Sequence, residues 1–305
     1  MSQFLLKLYY VLTVPIAIFF ILDSKKIHPA YKFNIFKKYR LGLRMFVNKL
    51  RIETGTSYKA HLAMALKILE TPPEVEGAVV ECGTWKGGSA VNLSMVCKMT
   101  GRKLLIYDSF EGLPEKEEGD REAVGYQVGD YCGTLDEVKS NISKYGEIES
   151  CEFKKGWFKD TLPQLNQPVL LAFLDVDFEA SLETCVRYLW NNLTEKGYIF
   201  IDEYVGLDYC SIFYSETYWK KYFNRTPPGL IGAGVGLALG EYYIGPYSEK
   251  DDHPSQHSNA GAYTRKDFSG YWTFYPQDDE IQEPLLQENA VAYIADDSFV
   301  LRQKS

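Results

Sequence analysis

Apolar positions in this chain alternate between two periods, and the alternation itself predicts the architecture. Residues 55–70 read as a helix capped by Ser57 or Thr56 and stopped by Pro72-Pro73. Short apolar runs at 78–82, 103–108, 151–155, 168–175 and 197–202 read as strands. Helical patterns at 89–99, 134–145 and 180–193 fall between them. Strand and helix in turn predict an α/β fold: a doubly wound, mostly parallel sheet with helices on both faces. After Tyr204 the pattern changes. Residues 208–223 carry an aromatic-dense helix with Tyr209, Phe213, Tyr214, Tyr218, Trp219, Tyr222 and Phe223. The run GLIGAGVGLALG at 229–240 has nucleotide-loop glycines, but no helix and no acid follow it. It predicts a tight turn feeding an antiparallel edge strand, and the tail runs GYWTFYP and VAYIADDSFVLRQ predict further edge strands.

The N-terminus has a third pattern. Residues 4–22 form an apolar stretch interrupted by Lys7 and Pro15, close to the minimum for a bilayer-spanning helix. Three arrangements satisfy it: a single-span anchor, a helix lying in the membrane plane, or a helix packed on the domain or on a second subunit, which would make a homo-oligomer. The first is the leading expectation. The flank Asp-Ser-Lys-Lys offers no small-residue cleavage site. The pattern divides the chain into an anchor or interfacial helix at 1–23, a basic neck at 24–51 and one domain at 52–305.

Charge sharpens this division. The formal net charge is −8, yet residues 24–51 hold nine Lys/Arg and no Asp or Glu. A basic neck on an acidic body does not suit nucleic acid; it suits an anionic membrane surface engaged through residues 1–51. With the cations following the apolar segment, the domain is expected on the cytoplasmic side of the membrane. The six cysteines form no C-x-x-C pair and read as reduced, mostly buried thiols. The four Asn-x-Ser/Thr sequons, at Asn92, Asn141, Asn192 and Asn224, are read as chance matches.

Candidate chemistry begins where the first strand breaks. In VVECGTWKGGSA (79–90) an apolar strand ends on Glu81, turns on Gly83, Gly87 and Gly88, and restarts at Ser89 as a helix. Such a turn exposes backbone N–H groups at a helix N-terminus. The next strand, KLLIYD, ends on Asp108, at the spacing where an acid grips a ribose diol. The E-x-G-x-x-x-G-G pattern is looser than a pyrophosphate fingerprint. It suits a ligand with an amino-acid end and an adenosine end, such as S-adenosylmethionine. A polar loop at 114–134 follows Asp108, where a lid would sit.

A second constellation lies further along. VLLAFLDVD ends on Asp175 and Asp177, and YIFIDEY ends on Asp202 and Glu203. As sequential strands of one parallel sheet, about 4.8 Å apart, they bring Asp175, Asp202 and Glu203 to the rim that carries the glycine loop. A hard divalent cation with oxygen ligands, Mg²⁺ by preference, neutralises such a group.

Five blocks in order, VVECGTWKGGSA, YDSFEGLPE, KKGWFKDTLPQL, AFLDVDFEAS and KGYIFIDEY, resemble the macrocin O-methyltransferase family over roughly residues 55–240. More distantly they are similar to catechol-type O-methyltransferases. The resemblance implies a seven-stranded Rossmann-like methyltransferase fold and a metal-dependent enzyme that methylates a sugar hydroxyl from S-adenosylmethionine. By motif, Glu81, Gly83, Trp85 and Ser89 would line the methionine end of the cofactor. Asp108 would hold the ribose, with Ser109 beside it, and Trp157 and Phe158 would border the adenine. Asp175, Asp202 and Glu203 would bind Mg²⁺, with Glu203 departing from the Asp or Asn usual there. The acceptor would be a small molecule or glycoconjugate with two neighbouring hydroxyls. The base stays open: Phe178 occupies the position of the lysine used by catechol-type relatives. Asp177 and Glu179 are local candidates, His253 and His257 remote ones, and His61 is expected on the surface of its helix. The rival reading is a membrane-anchored glycosyltransferase using Asp175 and Asp177 as its metal motif, which leaves the glycine loop without a task.

Overall fold

The computed structural model describes residues 3–117, 126–202, 210–231 and 262–267. Within them six strands form one sheet: β1 (Ala78–Cys82), β2 (Leu104–Asp108), β3 (Cys151–Lys155), β4 (Val169–Leu174), β5 (Leu193–Ile201) and β6 (Ala262–Arg265). Their order is β3-β2-β1-β4-β5-β6. The first five run parallel, and β6 pairs antiparallel with β5. The chain lays β2 and β3 to one side of β1, then adds β4 on the other. That switch opens a crevice beyond the C-terminal ends of β1 and β4, where ligands bind in open α/β sheets.

The strands follow their side-chain alternation. Val79 packs into one hydrophobic layer and Val80 into the other, as the two-residue period requires. β1 and β4 are buried throughout, which is why they read as continuous apolar runs. The first layer holds α3 (Tyr58–Glu70), α4 (Gly88–Thr100) and α5 (Leu135–Tyr145), and the second holds α6 (Phe158–Thr161), α7 (Glu179–Leu189) and α8 (Glu216–Phe223). Ser57 and Thr134 cap α3 and α5, their side chains accepting from the Lys59 and Glu137 N–H groups. Of the aromatic helix expected over 208–223, positions 208 and 209 lie outside the described residues, while Cys210 and Ser211 are helical and continue into a 3₁₀ turn. The helix is broken there: after the 3₁₀ turn at Ile212–Tyr214, Ser215 accepts from Tyr218 N–H and caps α8. Of the expected edge strands, Ile231 makes one antiparallel bridge to Tyr263. The run 232–240 and the tail lie outside the described residues.

The N-terminal region differs most from expectation. Among the described residues no helix is long and apolar enough to cross a membrane. Instead α1 (Gln3–Ile21) lays one face into the core. Tyr10, Val14, Ala17, Ile18 and Leu22 are buried in the same cluster as Val79 and Leu104. Within the expected basic neck, α2 (Ile35–Lys49) contributes Leu41, Met45 and Phe46 to that cluster. The two helices approach closely at Gly42, where a Cβ would meet Ile18 Cγ1 at 2.5 Å. Tyr10 makes edge and tilted ring contacts with Tyr58 and Phe46 at 6.0 and 5.9 Å. Packing therefore runs across both divisions, at 23 and at 51, that the sequence pattern suggests.

Candidate active site

The glycine turn after β1 has a purpose the sequence reading missed. Gly83 has φ +81°, and a Cβ there would stand 1.8 Å from the Asp175 carbonyl oxygen. The residue must be glycine because the end of β4 passes directly beside it. The Asp175 N–H donates to Cys82 O at 3.0 Å, so the glycine loop and the first acid of the second constellation are fastened together. Gly87, with φ +82°, then caps α4 through its backbone alone.

Asp108 ends β2 one strand away. Its Oδ2 accepts the Thr84 N–H at 2.7 Å and its Oδ1 the Phe110 N–H at 2.6 Å. These bonds, with the Trp85 backbone as a further donor, hold the carboxylate in the crevice, where its remaining lone-pair capacity can accept a ligand hydroxyl. Burial raises its pKa, against the lowering effect of those backbone donors. Asp108, Ser109, Gly83, Trp85, Trp157 and Phe158 line one pocket. An acid that can accept a diol, beside two aromatic rings, fits the adenosine end of S-adenosylmethionine.

Glu81 and Ser89 are placed differently from the expectation. Both are buried behind the pocket wall, with the Ser89 hydroxyl donating to Glu81 Oε1. Glu81 Oε2 has no hydrogen-bond partner among the described residues. Burial pushes the Glu81 carboxyl up to about 8, with Asp175 and Asp108 adding repulsion, so it is mostly protonated at neutral pH. The pair seats the first turn of α4 under the loop.

The second constellation reaches the same pocket. Leu174 and Ile201 are register partners on β4 and β5, and the next residues, Asp175 and Asp202, both line it. Asp202 N–H donates to Leu174 O at 3.1 Å, and Thr56 Oγ1 donates to Asp175 Oδ2 at 3.1 Å. Glu203 lies outside the described residues, and among those described no three His, Cys, Asp or Glu side chains gather into a metal site. The two aspartates form an oxygen-only donor pair, the chemistry a hard cation such as Mg²⁺ takes.

Asp177 also lines the pocket, with φ +59°, a strained value for a non-glycine residue. Phe178 is buried, and its ring lies 6.4 Å from that of Tyr126. From there an aromatic wall continues: Tyr126 to Tyr131 at 5.3 Å, and Tyr131 to Trp85 at 5.1 Å, both edge-on. Sequence reasoning did not single out Tyr126 or Tyr131, and took Thr56 only as a possible helix cap. Their only sequence signal was position, in the loop after Asp108 and at the cap of α3. His61, expected on the surface, is fully buried. Its Nδ1 lies 2.8 Å from Asn92 Nδ2, and burial together with the Lys49 charge lowers its pKa to about 3. It is a neutral core histidine, remote in role from proton transfer. Asn92 is buried in the same network, bonded to Asn48 at 2.9 Å. His253 and His257 lie outside the described residues.

Known proteins resemble this chain in sequence and in fold. The chain is 34% identical over 147 residues to an 8-demethyl-8-(2,3-dimethoxy-alpha-L-rhamnosyl)-tetracenomycin-C 4'-O-methyltransferase of Streptomyces olivaceus, a match covering 45% of this chain and 56% of that protein. It is 29% identical over 173 residues to a demethyldecarbamoylnovobiocin O-methyltransferase of Streptomyces niveus, covering 50% of this chain and 65% of the relative. The match thus spans less than two-thirds of the length of either relative. The structure of the O-methyltransferase NovP shares the fold, with a TM-score of 0.54 over 84% of this chain and 98% of that one at 21% identity. The family model described as Macrocin-O-methyltransferase (TylF) matches residues 54–224, more than half of the length, and the chain belongs to that family.

Proposed function

We propose that this protein is an S-adenosylmethionine-dependent O-methyltransferase that uses a divalent cation, Mg²⁺ by preference, to methylate a hydroxyl flanked by another hydroxyl on a small-molecule or glycoconjugate acceptor. One observation carries the reading. Gly83, at the cofactor loop, packs against the carbonyl of Asp175, at the acid rim. A methyl donor seated on the first and an acceptor held at the second would then share one pocket, where positioning lowers the barrier.

In this reading Asp108 accepts the ribose hydroxyls, Trp157 and Phe158 flank the adenine, and the turn from Gly83 to Trp85 faces the methionine end. Asp175 and Asp202, with Glu203, would hold the cation, and Thr56 fixes the Asp175 carboxylate. When bound, the cation supplies Lewis acidity that makes an acceptor hydroxyl easier to deprotonate. Asp177, which lines the same pocket, takes the proton. Bound S-adenosylmethionine would supply the methyl group, the acceptor oxygen gaining the C–O bond as the S–CH3 bond breaks and S-adenosylhomocysteine is left. The aromatic wall of Trp85, Tyr131 and Tyr126 offers a sugar ring its apolar face and keeps water from the reacting atoms. The tetracenomycin relative carries in its name a rhamnosyl-bearing substrate, which supports a glycoconjugate acceptor. The basic, apolar N-terminal region supports a further part of this reading, association with a membrane from its cytoplasmic side.

The test is mass spectrometry of small-molecule, lipid and glycan extracts from cells with and without this gene. A species that loses one methyl increment, restored by wild-type protein but not by Asp175→Asn, is the expected result. Restoration by Asp175→Asn would contradict the assignment of the acid rim.

A further inference from the structure

One side of α1 is unexplained by the core. Leu5, Leu8, Leu12, Ile16, Phe19 and Phe20 recur at helical spacing opposite the buried Tyr10, Val14 and Ile18, and all six are exposed, Leu12 by 64% and Phe20 by 60%. A helix that buries one apolar face while offering water another along its whole length calls for a second apolar environment.

Charge is arranged around the C-terminal end of that stripe. Lys38 Nζ donates to Phe19 O at 2.7 Å and lies over the Phe19 ring, which holds the first turn of α2 against the last turn of α1. That turn presents Phe36, 81% exposed, beside exposed Lys37 and Arg40. The connector between the helices carries Lys25, Lys26 and Lys32, all exposed. Four other cations of this region face inward or toward α5: Lys38; Lys49 on Thr56 O; Arg44 on Tyr145 O; and Arg51 over the Tyr145 ring. Asp23 is the sole acid among residues 1–51.

We infer that the outer face of α1, with the first turn of α2 and its connector, is a docking surface for an anionic lipid leaflet, on which the protein lies in plane without crossing. The inference rests on the membrane association proposed above and specifies its mode. An apolar stripe bounded by lysines and an arginine matches acyl chains beneath anionic headgroups. A second copy of this face would cover the stripe but set the same five cations against their equals with almost no acid to meet them. A span is opposed by the inner face, because threading α1 through a bilayer would strip Tyr10, Ile18 and Leu22 from the core.

Co-sedimentation of the full chain with phosphatidylcholine vesicles, with and without phosphatidylserine, tests this. Binding is expected to the phosphatidylserine vesicles, to weaken as salt rises, and to be released by alkaline carbonate. The double variant Leu12→Glu/Phe20→Glu should lose binding by about tenfold or more with an unchanged melting temperature, since both residues are solvent-facing. Lys25→Glu/Lys37→Glu should do likewise through charge alone. Binding by wild type to neither vesicle overturns membrane association itself. Binding that survives Leu12→Glu/Phe20→Glu, or that resists carbonate, leaves association standing and overturns the in-plane face. A dimer by sedimentation velocity that the same double variant dissociates, without vesicle binding, reassigns the face to a second copy.

Discussion

At the residue scale, the chemistry turns on what neighbouring backbones leave room for. Gly83→Ala would push a methyl into the Asp175 carbonyl at a backbone angle alanine avoids. A cost of about 3 kcal/mol or more is expected in chemical denaturation, with loss of cofactor binding. Gly87→Ala meets only Val138 Cγ1 at 3.1 Å and should cost about 1–2 kcal/mol, the strain of its angle. His61 provides a pH test. Its folded pKa of about 3 lies below the ordinary 6.5, so the unfolded chain binds the proton more tightly. The stability it contributes is therefore complete above about pH 6.5 and falls by about 1.4 kcal/mol per unit as pH drops toward 3. Glu81 contributes the opposite slope between its ordinary pKa and about 8, so the wild-type curve blends the two. Comparing wild type with His61→Gln isolates the histidine: the difference in unfolding free energy should vary with pH between 3 and 6.5 and be flat above. A flat difference throughout would mean that His61 is solvated. Asp108 and the paired aspartates were legible in the sequence because strand-end acids and glycine turns are local signals. Thr56 reaching Asp175 across 119 positions was not, nor was the burial of Glu81 and His61, because these depend on what packs over them.

At the element scale, the sheet was readable and the N-terminal helices were not. Strands with a two-residue period and capped helices announce themselves within ten residues. α3 starts at Ser57 and α5 at Thr134 as their caps dictate. α1 is apolar on nearly every side, so its sequence alone cannot say which face meets protein. The small residue Gly42 on α2 and the ring cluster of Tyr10, Phe46 and Tyr58 decide it. Tyr10→Ala should destabilise the fold by about 3 kcal/mol in urea denaturation, as loss of a buried ring does. Leu12→Ala, two positions on but facing outward, should stay within about 0.5 kcal/mol of wild type. Equal effects would contradict the orientation of α1.

At the scale of the whole molecule, the strand order joins two half-sites. The reversal between β1 and β4 brings the end of the first strand beside the end of the fourth, and the contact of Gly83 with Asp175 is where they touch. The proposed function divides labour across that contact, with cofactor recognition on the β1–β2 side and acceptor activation on the β4–β5 side. Titration calorimetry of the purified full chain with S-adenosylmethionine, in parallel with nucleotide-sugars and with and without Mg²⁺, tests the division most directly. Wild type should bind S-adenosylmethionine, Asp108→Ala should weaken it by about tenfold or more, and Asp175→Asn should bind it nearly as wild type does while losing methyl transfer. Tight binding of a nucleotide-sugar with none of S-adenosylmethionine, or cofactor binding indifferent to Asp108, would contradict the account.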